Sequence, residues 1–272
     1  MNRKILLMLA MAITASGCIQ SEATSNLPSN SNPASSSSGG LEVTTFDLSD
    51  DSLGPGQSGI ITAEIVNNHP QDIQLDDLSI YNTGVLEIND MSCTPSELRE
   101  PREGYTPRMQ CEWRVNVPES AVENFDSKTV PIKLNLEYGS QLSNSGSPVR
   151  ANFLPSEDIT RTEDLQTSFS NNEVQMEINT ERPMPLDGRN LGITVQNSGN
   201  GRVASNFTFE YFPEEVFNEC DSEYEPVVDQ EVEFSCNIAP QTETQQTRNL
   251  IVSTSYKYIK SPTLDIRVVD TP

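Results

Sequence analysis

Residues 109–117 read MQCEWRVNV, and their alternation decides the fold. Met109, Cys111, Trp113, Val115 and Val117 are separated by Gln110, Glu112, Arg114 and Asn116. Side chains along a strand point to opposite faces in turn, so period two marks a strand with one buried face. The stretch predicts a strand that carries a cysteine inward, two residues from the only tryptophan of the chain. That cysteine is a thiol, a metal ligand, a nucleophile or half of a disulfide, and its surroundings in the sequence must decide among these.

An internal repeat supplies the decision. GQSGIITAEIVNN matches DGRNLGITVQNSGNG, so that Ile61, Ala63 and Ile65 fall on Leu191, Ile193 and Val195, and Asn67 falls on Asn197. Each copy continues with a short alternating run, around Leu78 and Ile80 and around Phe207, Phe209 and Tyr211. A cysteine follows in each, Cys93 and Cys220. A second one then sits on a predicted strand, Cys111 in the first copy and Cys236 within Val232, Phe234, Cys236 and Ile238 in the second. Next come VPIKLNLEYG and NLIVSTSYKY. Each copy closes on an apolar triplet, Val149, Ala151 and Phe153 or Leu264, Ile266 and Val268. Many short alternating strands with turn signals between them, and no stretch of helical period beyond a turn near ESAVENF, predict an all-β chain of two sandwiches.

The N-terminus sets the compartment. Arg3 and Lys4 precede an apolar run from Ile5 to Ala15, the right size for an export signal and short for a membrane span. Ala15, Ser16, Gly17 and Cys18 then resemble a lipobox, with Ala15 where Leu is usual. The resemblance implies that Cys18 carries a membrane lipid; ordinary signal cleavage is the other reading, and both place the rest of the chain outside the cell. Residues 19–40, IQSEATSNLPSNSNPASSSSGG, are almost free of groups that can be buried and read as a flexible, disordered tether.

With Cys18 set apart, four of the five cysteines form two equivalent pairs. In an exported chain this predicts disulfides Cys93–Cys111 and Cys220–Cys236. The single histidine, His69, lies in the turn-like NNHPQD. Neither pair has tight C-x-x-C spacing or histidine neighbours, which argues against zinc and against a cysteine nucleophile.

The formal net charge is −23, from 40 acidic and 17 basic residues. Such a balance argues against nucleic acid, whose phosphates need basic patches. Interleaved apolar positions argue against disorder of the body of the chain. The acidity, with arginine favoured over lysine, resembles proteins of extremely halophilic archaea, in which salt screens self-repulsion.

One stretch carries a further resemblance. LGITVQNSGNGRVASNFTFEYF resembles the CARDB and NEW3 type of immunoglobulin-like modules: Val195, Asn197 and Gly199 fill a V-x-N-x-G strand end, and Ala204, Asn206, Phe207 and Phe209 fill the strand after it. The asparagine is expected to bond nearby backbone and the glycine to supply a positive φ. The first copy keeps Asn67 but lacks the glycines. The resemblance implies spacers, adhesive units or accessory domains rather than enzymes. The organisation expected is a signal peptide over 1–17, a tether over 18–40, an immunoglobulin-like β-sandwich over 41–155, a linker over 156–171 and a second sandwich over 172–272.

No catalytic constellation, metal site or cofactor is expected. The acid groups Asp47, Asp50 and Asp51, and Asp76 and Asp77, lack the spacing of a calcium loop and read as solvated surface. Asn206-Phe207-Thr208 is an N-glycosylation sequon whose asparagine faces outward if Phe207 and Phe209 face inward. The segment between the first cysteine pair, TPSELREPREGYTPRMQ, holds Arg99, Arg102, Tyr105 and Arg108 in an otherwise acidic chain, where the second copy has only acids. Arginine and tyrosine often anchor interfaces, so these four form a candidate recognition loop; a solvated loop, or one docked on the acidic second domain, are the competing readings. The function expected is that of a lipid-anchored protein on the outer face of the cell membrane, binding a protein or glycan partner in adhesion or surface structure. The alternative is an accessory subunit of a surface assembly such as an S-layer, a pilus or an export or transport complex.

Overall fold

The structure is a computed structural model and describes residues 40–122, 126–225, 231–240 and 244–270. Cys18 and the tether up to residue 39 lie outside them. The chain is all-β. The first half contributes β1 (Leu41–Leu48), β2 (Ser58–Asn67), β3 (Leu75–Tyr81), β4 (Glu87–Thr94), β5 (Arg108–Asn116), β6 (Ser127–Ser143) and β7 (Val149–Leu154). The second contributes β8 (Glu163–Ser170), β9 (Val174–Arg182), β10 (Met184–Pro185), β11 (Arg189–Asn197), β12 (Arg202–Val203) and β13 (Phe207–Phe212). It continues with β14 (Phe217–Asn218), β15 (Glu223–Tyr224), β16 (Val232–Ile238), β17 (Gln246–Lys260) and β18 (Thr263–Val269). Helix among the described residues is limited to three short 3₁₀ turns, one of them Glu119–Val122 in ESAVENF.

Three sheets form, ordered β1-β2-β5-β4, β14-β16-β11-β9-β8 and a nine-stranded sheet built around β6 and β17. The repeat is visible in the two outer sheets. β2 pairs with β5 and β11 with β16, placing Ile61 opposite Trp113 and Ile193 opposite Phe234. The alternation in 109–117 is real: Met109, Cys111, Trp113, Val115 and Val117 are buried, while Gln110, Glu112 and Arg114 are exposed. All sheets send their inward side chains into one continuous apolar core. At about 1.5–3 kcal/mol for each large side chain fully buried, this face-by-face burial is what holds the layers together.

Two features depart from the expected division. First, residues 163–170 are not linker but β8, an edge strand in eight-residue register with β9. Phe169 is buried and Leu165 half-buried; Thr167 between them and the surrounding acids and threonines hide the alternation in the sequence.

Second, the halves exchange their last strands. The C-terminal half of β6 pairs with that of β17, from Leu136 opposite Lys260 to Ser143 opposite Ser253. Beyond Ser261 and Pro262 the same register resumes, and β18 pairs with the start of β6 rather than with β17. Leu53 of the first half extends this contact: its N–H donates to Arg267 O (3.0 Å) and its carbonyl accepts from Val269 N–H (2.9 Å). In the mirror-image exchange, β7 pairs with the start of β17 and with β10. Asn144, almost fully buried, stitches the β6–β7 connection to β17 by donating to Leu250 O and accepting from Val252 N–H. The described residues accordingly fall in one compact unit, and the boundary at 155 does not separate the sheets.

Candidate functional site

Both cysteine pairs are disulfides. Cys93 and Cys111 stand directly opposite on β4 and β5, with Cα atoms 4.1 Å apart. Cys220 lies just past β14 and bonds Cys236 on the neighbouring β16, with Cα atoms 4.9 Å apart. Each therefore clips adjacent strands of one outer sheet, at equivalent places in the repeat.

The first disulfide closes the base of the candidate recognition loop, and the loop has an internal frame. Leu98 is fully buried. Ile73 N–H donates to Leu98 O (2.7 Å), Asn67 Nδ2 donates to Arg99 O (2.7 Å), and Glu100 N–H donates to Asp72 Oδ1 (2.7 Å). At its tip Arg102 and Tyr105 exchange backbone hydrogen bonds of 2.9 Å, with Gly104 at φ +74° making the turn. These partners all belong to the first half, at the end of β2, in the β2–β3 connection and in the loop itself. Arg99, Arg102, Tyr105 and Arg108 remain exposed. Arg108 pairs with Glu64 at 2.8 Å, a surface contact of little energetic weight.

The same β2–β3 connection leads to the seam between the halves, where a buried polar cluster lies. His69, expected in a turn, is fully buried, and so is Glu173 from the β8–β9 turn. His69 Nε2 stands 3.1 Å from Glu173 Oε1. The other ring nitrogen, Nδ1, has no hydrogen-bond partner among the described residues, so Nε2 makes the ring's one polar contact, to the carboxylate. Tyr138 OH donates to Glu173 Oε1, and Ser140 Oγ donates to Oε2 at 2.8 Å. Tyr256 OH lies 3.4 Å from Oε2 and accepts from Asn171 Nδ2 at 2.7 Å. Burial alone would raise the Glu173 pKa, but the hydrogen bonds and charge of His69 and the hydroxyls of Tyr138 and Ser140 outweigh it and hold the carboxyl below its ordinary range. Burial, then the Glu173 charge, pushes the Tyr138 and Tyr256 hydroxyls far up, so both stay protonated donors. Lys260 donates to Leu41 O, and burial lowers its pKa while the nearby Glu173 charge opposes that. The chain enters the fold here as well: Gly40 O accepts from Asn68 N–H, and Gly40 sits at φ +118° where a Cβ would meet Glu173 Oε1 at 3.1 Å. The cluster joins residues of both halves and of the first described residues; sequence spacing offered no sign of it, since partners within it lie as much as 219 residues apart.

The V-x-N-x-G stretch works partly as expected. Asn197 Nδ2 donates to Gly201 O (2.8 Å) and its Oδ1 accepts from Tyr258 OH (3.0 Å). Gly199 and Gly201 are not in the positive-φ region. They are required for close approach: a Cβ at Gly199 would collide with the Tyr258 hydroxyl and Asn172 O, and one at Gly201 with Ile259 O. Asn206 is exposed, as are Thr208 and the polar face around them, while Phe207 and Phe209 are buried; its amide donates to Glu223 at 2.8 Å. Of the acid groups, Asp76 pairs with Lys257 (3.0 Å), and Asp77 accepts from Ser79 and Asn135. Among the described residues no group of three His, Cys, Asp or Glu side chains is placed to hold a metal ion, and no helix is long and apolar enough to cross a membrane.

No family model matches the chain, and no curated protein matches it in sequence. A comparison of folds finds similarity to the secreted serine protease VesC from Vibrio cholerae, 14% identical over 83% of this chain, at a TM-score of 0.24. The chain spans half the length of that protein, and a likeness of this degree carries no argument about fold or activity.

Proposed function

We propose that the protein is an exported, lipid-anchored cell-surface protein that acts by binding, in adhesion or surface structure, and not by catalysis. The observation that carries the reading is the closure of both cysteine pairs as disulfides in a chain whose start resembles a lipoprotein signal. Disulfides form and persist in oxidising, extracytoplasmic surroundings. The buried state of His69 and Glu173 supports a non-enzymatic role, because the one imidazole of the chain is sequestered as a structural donor. The exposed Arg99, Arg102, Tyr105 and Arg108, on a loop framed by hydrogen bonds and closed by a disulfide, supply a surface whose ordering cost on binding is low.

The test is anchoring. Cys18→Ser in the producing cell releases the protein into the medium or leaves an unprocessed precursor, with both disulfides still formed by non-reducing peptide mapping. A variant that stays on the membrane with its signal removed sinks lipidation as the anchor.

A further inference from the structure

The most exposed large apolar side chain among the described residues is Phe212, at 63%. It stands at the end of β13 on the outer face of the nine-stranded sheet, opposite Ile251 of β17. Two residues along β17, Asn249 points to the same face and pairs with Arg150 of β7. Strands lie about 4.8 Å apart, so the Phe212 ring and the Arg150 guanidinium rise from strands about 10 Å apart, with β17 as the floor between them. That floor is short and polar: Thr247 and Asn249, the former donating to Asn152 at 3.0 Å. The hollow so formed has a volume of about 560 Å³ and is completed by Pro213, Glu215 and Arg248. On the other side of Phe212 lies a second hollow of about 590 Å³, whose lining includes Tyr211, Phe217, Glu210 and Ser253. Phe212 is thus a ridge between two concave surfaces, each within the size range of small-ligand sites.

We propose that this ridge is a saccharide-binding site that takes a neutral hexose chain, one ring in each hollow, with Phe212 as the platform. The apolar C–H face of a sugar ring packs on an exposed aromatic ring, and its rim of hydroxyls needs planar groups that donate and accept in pairs. Arg150 donates in a fork, Asn249 donates and accepts, and Glu215 accepts. The site holds two guanidiniums and a carboxylate in its first hollow and glutamates beside the second, so it does not complement a polyanion. A chain of net charge −23 also repels one at long range. The platform sits on a paired ladder of β7, β17 and β13, so little ordering is needed on binding. The site deepens the binding role proposed above by naming a ligand class.

The experiment uses the full chain in detergent, with its phenylalanines isotopically labelled, titrated with maltotriose and with mannotriose. The expected result is a saturable shift of the Phe212 ring signal at millimolar sugar, with the affinity read by calorimetric titration weakened about tenfold or more in Phe212→Ala and in Arg150→Gln, and melting unchanged because both side chains are exposed. No shift with either sugar, a calorimetric affinity indifferent to both substitutions, or binding confined to an oligouronate would each overturn the site. So would a surface protein whose capture is lost in Phe212→Ala while neither trisaccharide binds. Failure here is distinct from failure of the anchored-protein reading, which rests on the fate of Cys18→Ser.

Discussion

Glu173 shows how a single side chain can tie together distant parts of a chain. A buried carboxylate is costly unless its oxygens are paired. Here His69 from the first half, Tyr138 and Ser140 from β6 and Lys260 from β17 surround it. Removing one partner leaves the charge under-satisfied. His69→Ala is expected to lower stability by about 3 kcal/mol, measured by urea unfolding at neutral pH; a loss within the scatter of surface substitutions would show the pair to be dispensable. The pH dependence follows from the direction of the Glu173 shift. Its folded-state pKa lies below the ordinary 4.5, so the stabilisation is fully present above that value and is lost as pH falls through the folded pKa. Glu173→Gln should therefore flatten the acid side of the stability profile below about pH 4.5 while lowering stability at neutral pH. Unaltered acid dependence in this variant would mean that other carboxylates govern it.

β18 is the element whose sequence and structure disagree most about where it belongs. By repeat it closes the second copy; by pairing it closes the first, where Ile266 and Val268 are buried and Leu53 is bonded on both sides. Ending the chain after Ser261 is therefore expected to damage the first half and not the second. Amide exchange should rise at Leu53 and along Ser127–Lys133 of β6, with the β11–β16 ladder still protected. The two buried side chains alone contribute about 1.5–3 kcal/mol each, enough to raise exchange by local opening where β18 lay while the rest of the core stays folded. Exchange rising in β11 and β16 instead would contradict the strand exchange. The disulfides act on other elements: with loops of 18 and 16 residues, each stabilises by roughly 3 kcal/mol through chain entropy, and neither spans the seam.

For the molecule as a whole, exchange makes the halves interdependent. Each is completed by the other's strand and the seam is buried, so unfolding is expected as one transition, with calorimetric and van't Hoff enthalpies in agreement. Two separated transitions would argue for autonomous sandwiches. The net charge of −23 adds a condition. Self-repulsion acts over a Debye length of about 10 Å at 0.1 M salt and about 3 Å at 1 M, so the midpoint should climb steeply between these salt concentrations if the acidity is a salt adaptation. A flat response would mark an ordinary acidic domain.

Local chemistry was legible from the residues. Period two in 109–117 and its repeat in 232–238 specified inward faces, because the strand's own geometry alternates side chains whatever its neighbour. Cysteine parity and repeated spacing specified the disulfides, and Asn67 and Asn197 specified the strand ends they brace. The partner of each strand is another matter. Alternation says which face is buried and nothing about which strand lies alongside, so β7 and β18 could be recognised as strands but not as exchanged ones. Torsion is the sequence's account of Gly199, but the reason for it is a tyrosine hydroxyl and a carbonyl arriving from elsewhere in the chain. The His69–Glu173 pair, the seam it holds and the Phe212 ridge all arise from residues far apart in sequence. Tertiary structure alone decided them, because only packing brings such groups within reach of one another.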